Sequence, residues 1–201
     1  MEFGLRPNRF EAPANDARRS FPCFDDPIFK ATFQVTLEVH ANLTAISNEP
    51  IIKVTYPNEG KKLVEFGRTM KMSTYIVAYV IGEFEVTDPI VVNGTEIRAY
   101  CVPGKKHLTT YALKAAQFAL TWFERYFGIK YPGNKLDLIG IPDFAFGAME
   151  NLGCVTFRET ALLVSEETAT IGELLRVSEV VMHEIAHMWF GDLVTMKWWN
   201  G

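Results

Sequence analysis

The stretch Val180–Gly191, Val-Val-Met-His-Glu-Ile-Ala-His-Met-Trp-Phe-Gly, constrains this chain more than any other. His183 and His187 stand four positions apart. On a helix that spacing puts both imidazoles on one face, with Cβ atoms roughly 5–6 Å apart. Two neutral imidazoles converging in this way suit Zn2+, which takes nitrogen ligands at about 2.0–2.1 Å. Glu184 directly follows the first histidine, so its carboxylate projects beside the metal position rather than onto it. There it can take a proton from a metal-bound water, whose pKa the metal lowers from about 15.7 towards 7. The competing reading is two histidines on an ordinary helix, which requires a chance match at three fixed positions. The helix itself is supported separately. Leu174, Val177, Val180, Val181, Ile185 and Trp189 recur at helical spacing. Thr170 and Glu173 form a capping-box start, and Gly191 supplies a stop.

A chain of 201 residues, 48% of them hydrophobic, can build one large domain or parts of two. Its net charge of −4, with no Lys/Arg run, excludes a nucleic-acid surface as an expectation. The longest uninterrupted apolar run, Tyr75–Ile81, is far shorter than the roughly 20 residues of a membrane span. Met1–Phe10 lacks the apolar segment of a signal peptide. Cys23, Cys101 and Cys154 are an odd, scattered set, which fits a reducing compartment rather than a disulfide framework. A cytoplasmic protein is the expectation. The sequons at Asn42 and Asn93 read as coincidental, since Asn93-Gly94 is better explained as a hairpin turn.

Residues 1–100 read as β structure. Ala31–Val39 alternates apolar and polar residues without a break, the pattern of a half-buried strand. Ile51–Tyr56 and Lys62–Phe66 flank the turn-rich Pro57-Asn58-Glu59-Gly60. Met72–Ile81 reads as a more buried strand, and Ile90–Val92 and Thr95–Cys101 as a hairpin about Asn93-Gly94. Near Val102-Pro103-Gly104 the character changes. Lys105–Phe127 reads as an amphipathic helix with Leu108, Tyr111, Ala115, Phe118, Trp122 and Tyr126 on its apolar face, ended by Gly128. Leu136–Ile141 is a short apolar strand, Pro142–Phe146 a loop, and Cys154–Phe157 another strand. The expected class is α+β, with a β-rich part to about residue 100 and a mixed part after it.

Within Pro142–Glu159, the core Gly147-Ala148-Met149-Glu150-Asn151 resembles the exopeptidase signature of the aminopeptidase N and puromycin-sensitive aminopeptidase family. In that family it precedes the His-Glu-x-x-His helix, as it does here. His183–Trp199 and Asp16–Asp25 also resemble family sequence, so the likeness runs from about Phe10 to the end. It implies the end of a saddle-like N-terminal β domain over residues 1–100. The start of a thermolysin-like catalytic domain would follow over residues 101–201.

The resemblance also implies roles. His183 and His187 match two ligands of a single Zn2+. Glu184 matches the general base. Glu150 matches the carboxylate that holds the substrate's free α-ammonium, with Gly147, Ala148, Met149 and Asn151 beside it along the bound peptide. A carboxylate held there separates a charged N-terminus from an interior amide, because an amide leaves it unpaired. A Gly-Ala pair also lets backbone approach substrate closely. The implied partner is a peptide with a free N-terminus.

Some positions depart from the family pattern. Arg9 stands near where many members use a Gln to help bind the α-amine. Leu152 replaces a frequent Trp, and Met188 and Asp192 replace the usual Gln and Asn. The family's third zinc ligand, a Glu on the next helix, and its transition-state Tyr would fall beyond Gly201. The chain therefore reads as an internal piece that is inactive alone. The runner-up functions are a zinc endopeptidase, which has no use for Glu150, and an incomplete, inactive fragment. A metzincin is excluded because Phe190 and Leu193 stand where its Gly and His are required. Phe144, Phe146 and Met149 either line the pocket for the first substrate residue or pack their own loop.

Overall fold

In the computed structural model, which describes residues 17–200, a single helical turn, α1 (Ala17–Ser20), opens the described part. Eight strands follow: β1 (Gln34–His40), β2 (Thr44–Ser47), β3 (Ile51–Thr55), β4 (Lys61–Arg68), β5 (Tyr79–Gly82), β6 (Glu85–Val86), β7 (Ile90–Val92) and β8 (Thr95–Cys101). After them come α2 (Thr110–Phe127), β9 (Lys135–Ile141), β10 (Ala148–Met149), β11 (Cys154–Arg158) and α3 (Ile171–His187). The class is α+β, as expected.

β1, β4 and β3 form an antiparallel sheet in that order. The alternation in β1 sets its faces. Val35, Leu37 and Val39 turn towards Val64 and Phe66, while Gln34, Thr36 and Glu38 are exposed. The strand is shorter than expected, because Ala31 makes only an isolated bridge to Met72.

Met72–Ile81 is not one strand. After the bridge at Met72, Thr74–Ile76 is a 3-10 turn, and strand pairing begins at Tyr79, where β5 joins the unforeseen β2. The β-branched and aromatic content of this stretch reports burial, and burial here comes from packing rather than from a sheet. Met72, Tyr75 and Ile76 belong to the main core with residues of α2 and α3.

The hairpin of β7 and β8 turns at Asn93 and Gly94, both with positive φ, as the Asn-Gly pair requires. β8 then pairs in parallel with β9, and β9 in parallel with β11, while β10 adds antiparallel at the edge. Residues on both sides of position 100 thus share one six-stranded sheet. The change in composition there is not a break in the hydrogen bonding.

β9 is buried throughout, and its two faces do different work. Leu136 and Leu138 meet the helices, whereas Ile139 and Ile141 meet Ile46 and Val80 of the β2–β5 ribbon. A strand covered on both faces is mostly apolar, and the two charged residues of β9, Lys135 and Asp137, are buried as an ion pair at 2.6 Å. The ribbon is tied to the sheet by Asn48. Its side-chain amide donates to the carbonyls of Ile76 and Leu152, both at 2.8 Å, and its side-chain oxygen accepts from the Ala78 N–H. Gly153 makes that approach possible, since a Cβ there would stand 2.2 Å from the Asn48 carbonyl oxygen.

α2 corrects part of the expected apolar face, of which Tyr111 and Ala115 do meet the core. Phe118, Trp122 and Tyr126 are exposed, and the buried residues are Ala112, Leu113, Ala115, Ala116, Ala119 and Leu120. Large aromatics dominate a periodicity count, but the side facing α3 and the sheet is the one with small residues. Alanines let backbone approach backbone, and the aromatics stack on each other outside, Trp122 on Tyr126 at 4.7 Å.

Candidate active site

α3 begins where the capping box predicts. Thr170 Oγ1 accepts from the Glu173 N–H, and Glu173 returns a carboxylate to the Thr170 N–H at 2.8 Å. Val177, Val180, Val181 and Ile185 bury one stripe of the helix against α2. The stop differs from expectation. The helix ends at His187, and Met188 to Phe190 continue as tightened turns before Gly191.

That stripe decides where the motif points. His183 is exposed, His187 is half-buried and Glu184 is buried. The two Nε2 atoms lie 3.0 Å apart, with the rings at 89° to each other. Two nitrogens each about 2.0–2.1 Å from a tetrahedral zinc stand roughly 3.3–3.4 Å apart, so this pair, at hydrogen-bond distance, opens by a few tenths of an ångström to hold such an ion. His187 Nδ1 is 2.8 Å from the Phe190 carbonyl oxygen, which selects the tautomer that leaves Nε2 free. Among the described residues, no group of three or more His, Cys, Asp and Glu side chains is gathered for a metal.

Glu184 Oε2 has no hydrogen-bond partner in its buried position. Burial, with a further push from the nearby Glu150 carboxylate, raises the Glu184 carboxyl to about 8. Glu150 itself is half-buried, directly after β10. The sheet thus brings the second sequence motif to the first.

The segment that carries Glu150 is built on β11. Ala148 and Met149 pair with Phe157 and Thr156. The Arg158 N–H donates to the Gly147 carbonyl at 2.9 Å, and its guanidinium donates to the carbonyls of Phe144 and Ala145 at 2.9 and 2.7 Å. Gly147 and Ala148 are half-buried, and Asn151 is buried with its amide towards Thr156 Oγ1. Phe144 packs its own loop, against Ile139, Ile141 and Cys154, and Phe146 is exposed. Arg9, Phe10 and Glu11 lie outside the described residues.

Sequence reasoning missed Lys30, Tyr75 and Arg158, and it named Asp192 only as a departure. Asp192 is fully buried with neither carboxylate oxygen partnered. Burial, then the proximity of Glu150, holds its carboxyl well above the usual range. No local pattern marks Lys30 or Tyr75, because their partners lie 116 to 163 residues along the chain.

Residues 111–201 match the peptidase family M1 domain, and residues 9–76 match the peptidase M1 N-terminal domain. The chain is 52% identical over 185 residues to a puromycin-sensitive aminopeptidase of Caenorhabditis elegans, covering 92% of this chain and 20% of that protein. It is 48% identical to aminopeptidase M1 of Arabidopsis thaliana, over 92% of this chain and 21% of the relative. Against the human endoplasmic reticulum aminopeptidase 2 it is 46% identical, over 92% and 19% respectively. The chain belongs to peptidase family M1. It spans about a fifth of the length of these relatives. They include an endoplasmic reticulum protein by name, so the family does not assign a compartment. Among the described residues, no helix is long and apolar enough to cross a membrane.

Proposed function

We propose that this chain carries the metal helix and the α-amine site of a zinc aminopeptidase that removes the N-terminal residue of peptides. The observation that carries the reading is the meeting of the two motifs. His183 and His187 converge at their Nε2 atoms, with buried Glu184 between them in sequence and Glu150 close enough to raise its pKa. In this reading His183 and His187 hold Zn2+. When bound, the ion supplies Lewis acidity towards the first peptide carbonyl and acidifies a water. Glu184 holds the proton taken from that water and returns it to the leaving amine. A carboxylate positioned in this way contributes about 10²–10⁴-fold as a general base. Glu150 holds the substrate's α-ammonium and so fixes which peptide bond meets the base. Gly147, Ala148, Met149 and Asn151 lie beside Glu150 along the bound peptide.

The names of the relatives support aminopeptidase activity, and the unblocked peptide is the proposed partner. The test is hydrolysis of amino-acid amides by the natural full-length protein, beside the same peptides with free and N-acetylated termini. Rapid cleavage of the acetylated peptides would replace this reading with an endopeptidase.

A further inference from the structure

The turn after α3 is held from the other half of the chain. The Lys30 ammonium donates to the carbonyls of Asp192 and Leu193, at 2.9 and 3.0 Å. The Tyr75 hydroxyl donates to the Gly191 carbonyl at 3.1 Å, which also accepts from Thr195 Oγ1. Three successive carbonyls therefore end on side-chain donors, and residues 30 and 75 contribute to all three. The carbonyl just before them, that of Phe190, faces His187 Nδ1. The same turn returns to the helix through the Asp192 N–H, which donates to the His187 carbonyl at 3.0 Å.

These contacts form one chain of cause. A metal-ligating imidazole depends on the group at its other nitrogen for tautomer and direction. Here that group is a backbone carbonyl on a short turn beyond the helix end. The N–H groups of Asp192, Leu193 and Val194 tie the turn to the carbonyls of His187, Met188 and Trp189 at 3.0, 3.3 and 3.0 Å, and the side chains of Lys30 and Tyr75 hold its outer, carbonyl side. An ammonium on two carbonyls supplies charge-assisted bonds, stronger than neutral ones. Tyr75 is itself anchored, buried in the main core with its ring edge against Trp199 at 5.8 Å.

We propose that Lys30 and Tyr75 are positioning residues for His187. Acting through the carbonyls of Gly191, Asp192 and Leu193, they fix the Phe190 carbonyl, and with it the tautomer and direction of the His187 ring. The inference rests on the reading of His183 and His187 as a zinc pair. It makes metal retention depend on the region that precedes the catalytic part of the chain.

The test uses the zinc-loaded, natural full-length protein and the variants Lys30→Met, Lys30→Arg, Tyr75→Phe and His187→Ala. Zinc release to a chromogenic chelator is followed with time, and the melting midpoint of each metal-free form is measured alongside. Lys30→Met is expected to speed zinc release about 10–100-fold, the usual cost of losing an outer partner of a metal ligand. Its metal-free melting midpoint should stay near wild type, kcat should fall, and KM should hold. Lys30→Arg should restore most of the retention, and Tyr75→Phe should shift release in the same direction by less. If Lys30→Met does not fold, Tyr75→Phe, which deletes one hydroxyl, decides alone. Wild-type release rates in the variants, with His187→Ala losing zinc, would overturn this inference and leave the zinc pair intact. Zinc retention by His187→Ala would overturn the pair and this inference with it.

Discussion

Gly191 lies against His187 so closely that a Cβ on the glycine would stand 3.1 Å from the histidine carbonyl oxygen and 3.3 Å from its Nδ1. Its φ of 146° is also one that L side chains rarely adopt. Gly191→Ala combines backbone strain of about 1–3 kcal/mol with a push on the ring. The expected outcome is a lower melting midpoint together with faster zinc release. Calorimetry and chelator competition on the full-length protein check the two effects separately.

Glu184 is expected to act as a base and not as a ligand. Glu184→Gln should keep its zinc and lose about 10²–10⁴-fold in kcat. His183→Ala and His187→Ala should lose metal and turnover together. Atomic absorption on the dialysed variants distinguishes the cases, and zinc loss by Glu184→Gln would show that the role is misassigned.

Glu150→Ala should selectively damage free-N-terminal substrates. Losing a bond to a charged group costs about 1.5–3 kcal/mol, or roughly 10–150-fold in kcat/KM. An equal loss on acetylated and free substrates would mean that Glu150 does not read the α-amine.

Asp25 gives a pH dependence whose sign can be worked out. Burial pushes its carboxyl up. Hydrogen bonds from the Arg18 guanidinium and N–H and from Thr74 Oγ1 more than offset this, leaving it below its ordinary value. A carboxyl depressed in the folded state adds stability above its unfolded pKa of about 3.9, and that stability is lost as pH falls through the folded value. The resistance of wild type to urea should therefore fall on going from pH 5 to pH 3. Asp25→Asn should be less stable at pH 7 and should flatten this part of the slope.

The corrected face of α2 predicts an asymmetry. Ala116 is fully buried, and Ala116→Leu overpacks the core at a cost of about 1–3 kcal/mol. Trp122→Gln, on the exposed side, should change stability by much less. Denaturant midpoints of the two variants test which side packs, and equal losses would restore the aromatic face.

What the sequence determined by itself was mostly local. The helix of His183 and His187, its capping box at Thr170, the hairpin at Asn93-Gly94 and the apolar strand β9 each rest on residues within one or two turns of each other. Periodicity and cap chemistry act over that range, so they are legible in one dimension. The order of the two motifs was legible too, through their family resemblance.

What only the tertiary structure decided depends on partners distant in sequence. The breaking of Met72–Ile81 follows from core packing and from pairing with β2, some thirty residues upstream. The choice of the alanine face on α2 depends on how closely the sheet and α3 approach, and hydrophobicity alone ranks it below the aromatics. The closeness of Glu150 to Glu184 comes from a sheet that lays β10 beside α3. Lys30 reaches the turn at Asp192 across 162 residues of sequence. An ammonium seeking carbonyls leaves no periodic trace, because nothing near it in the chain shares its constraint.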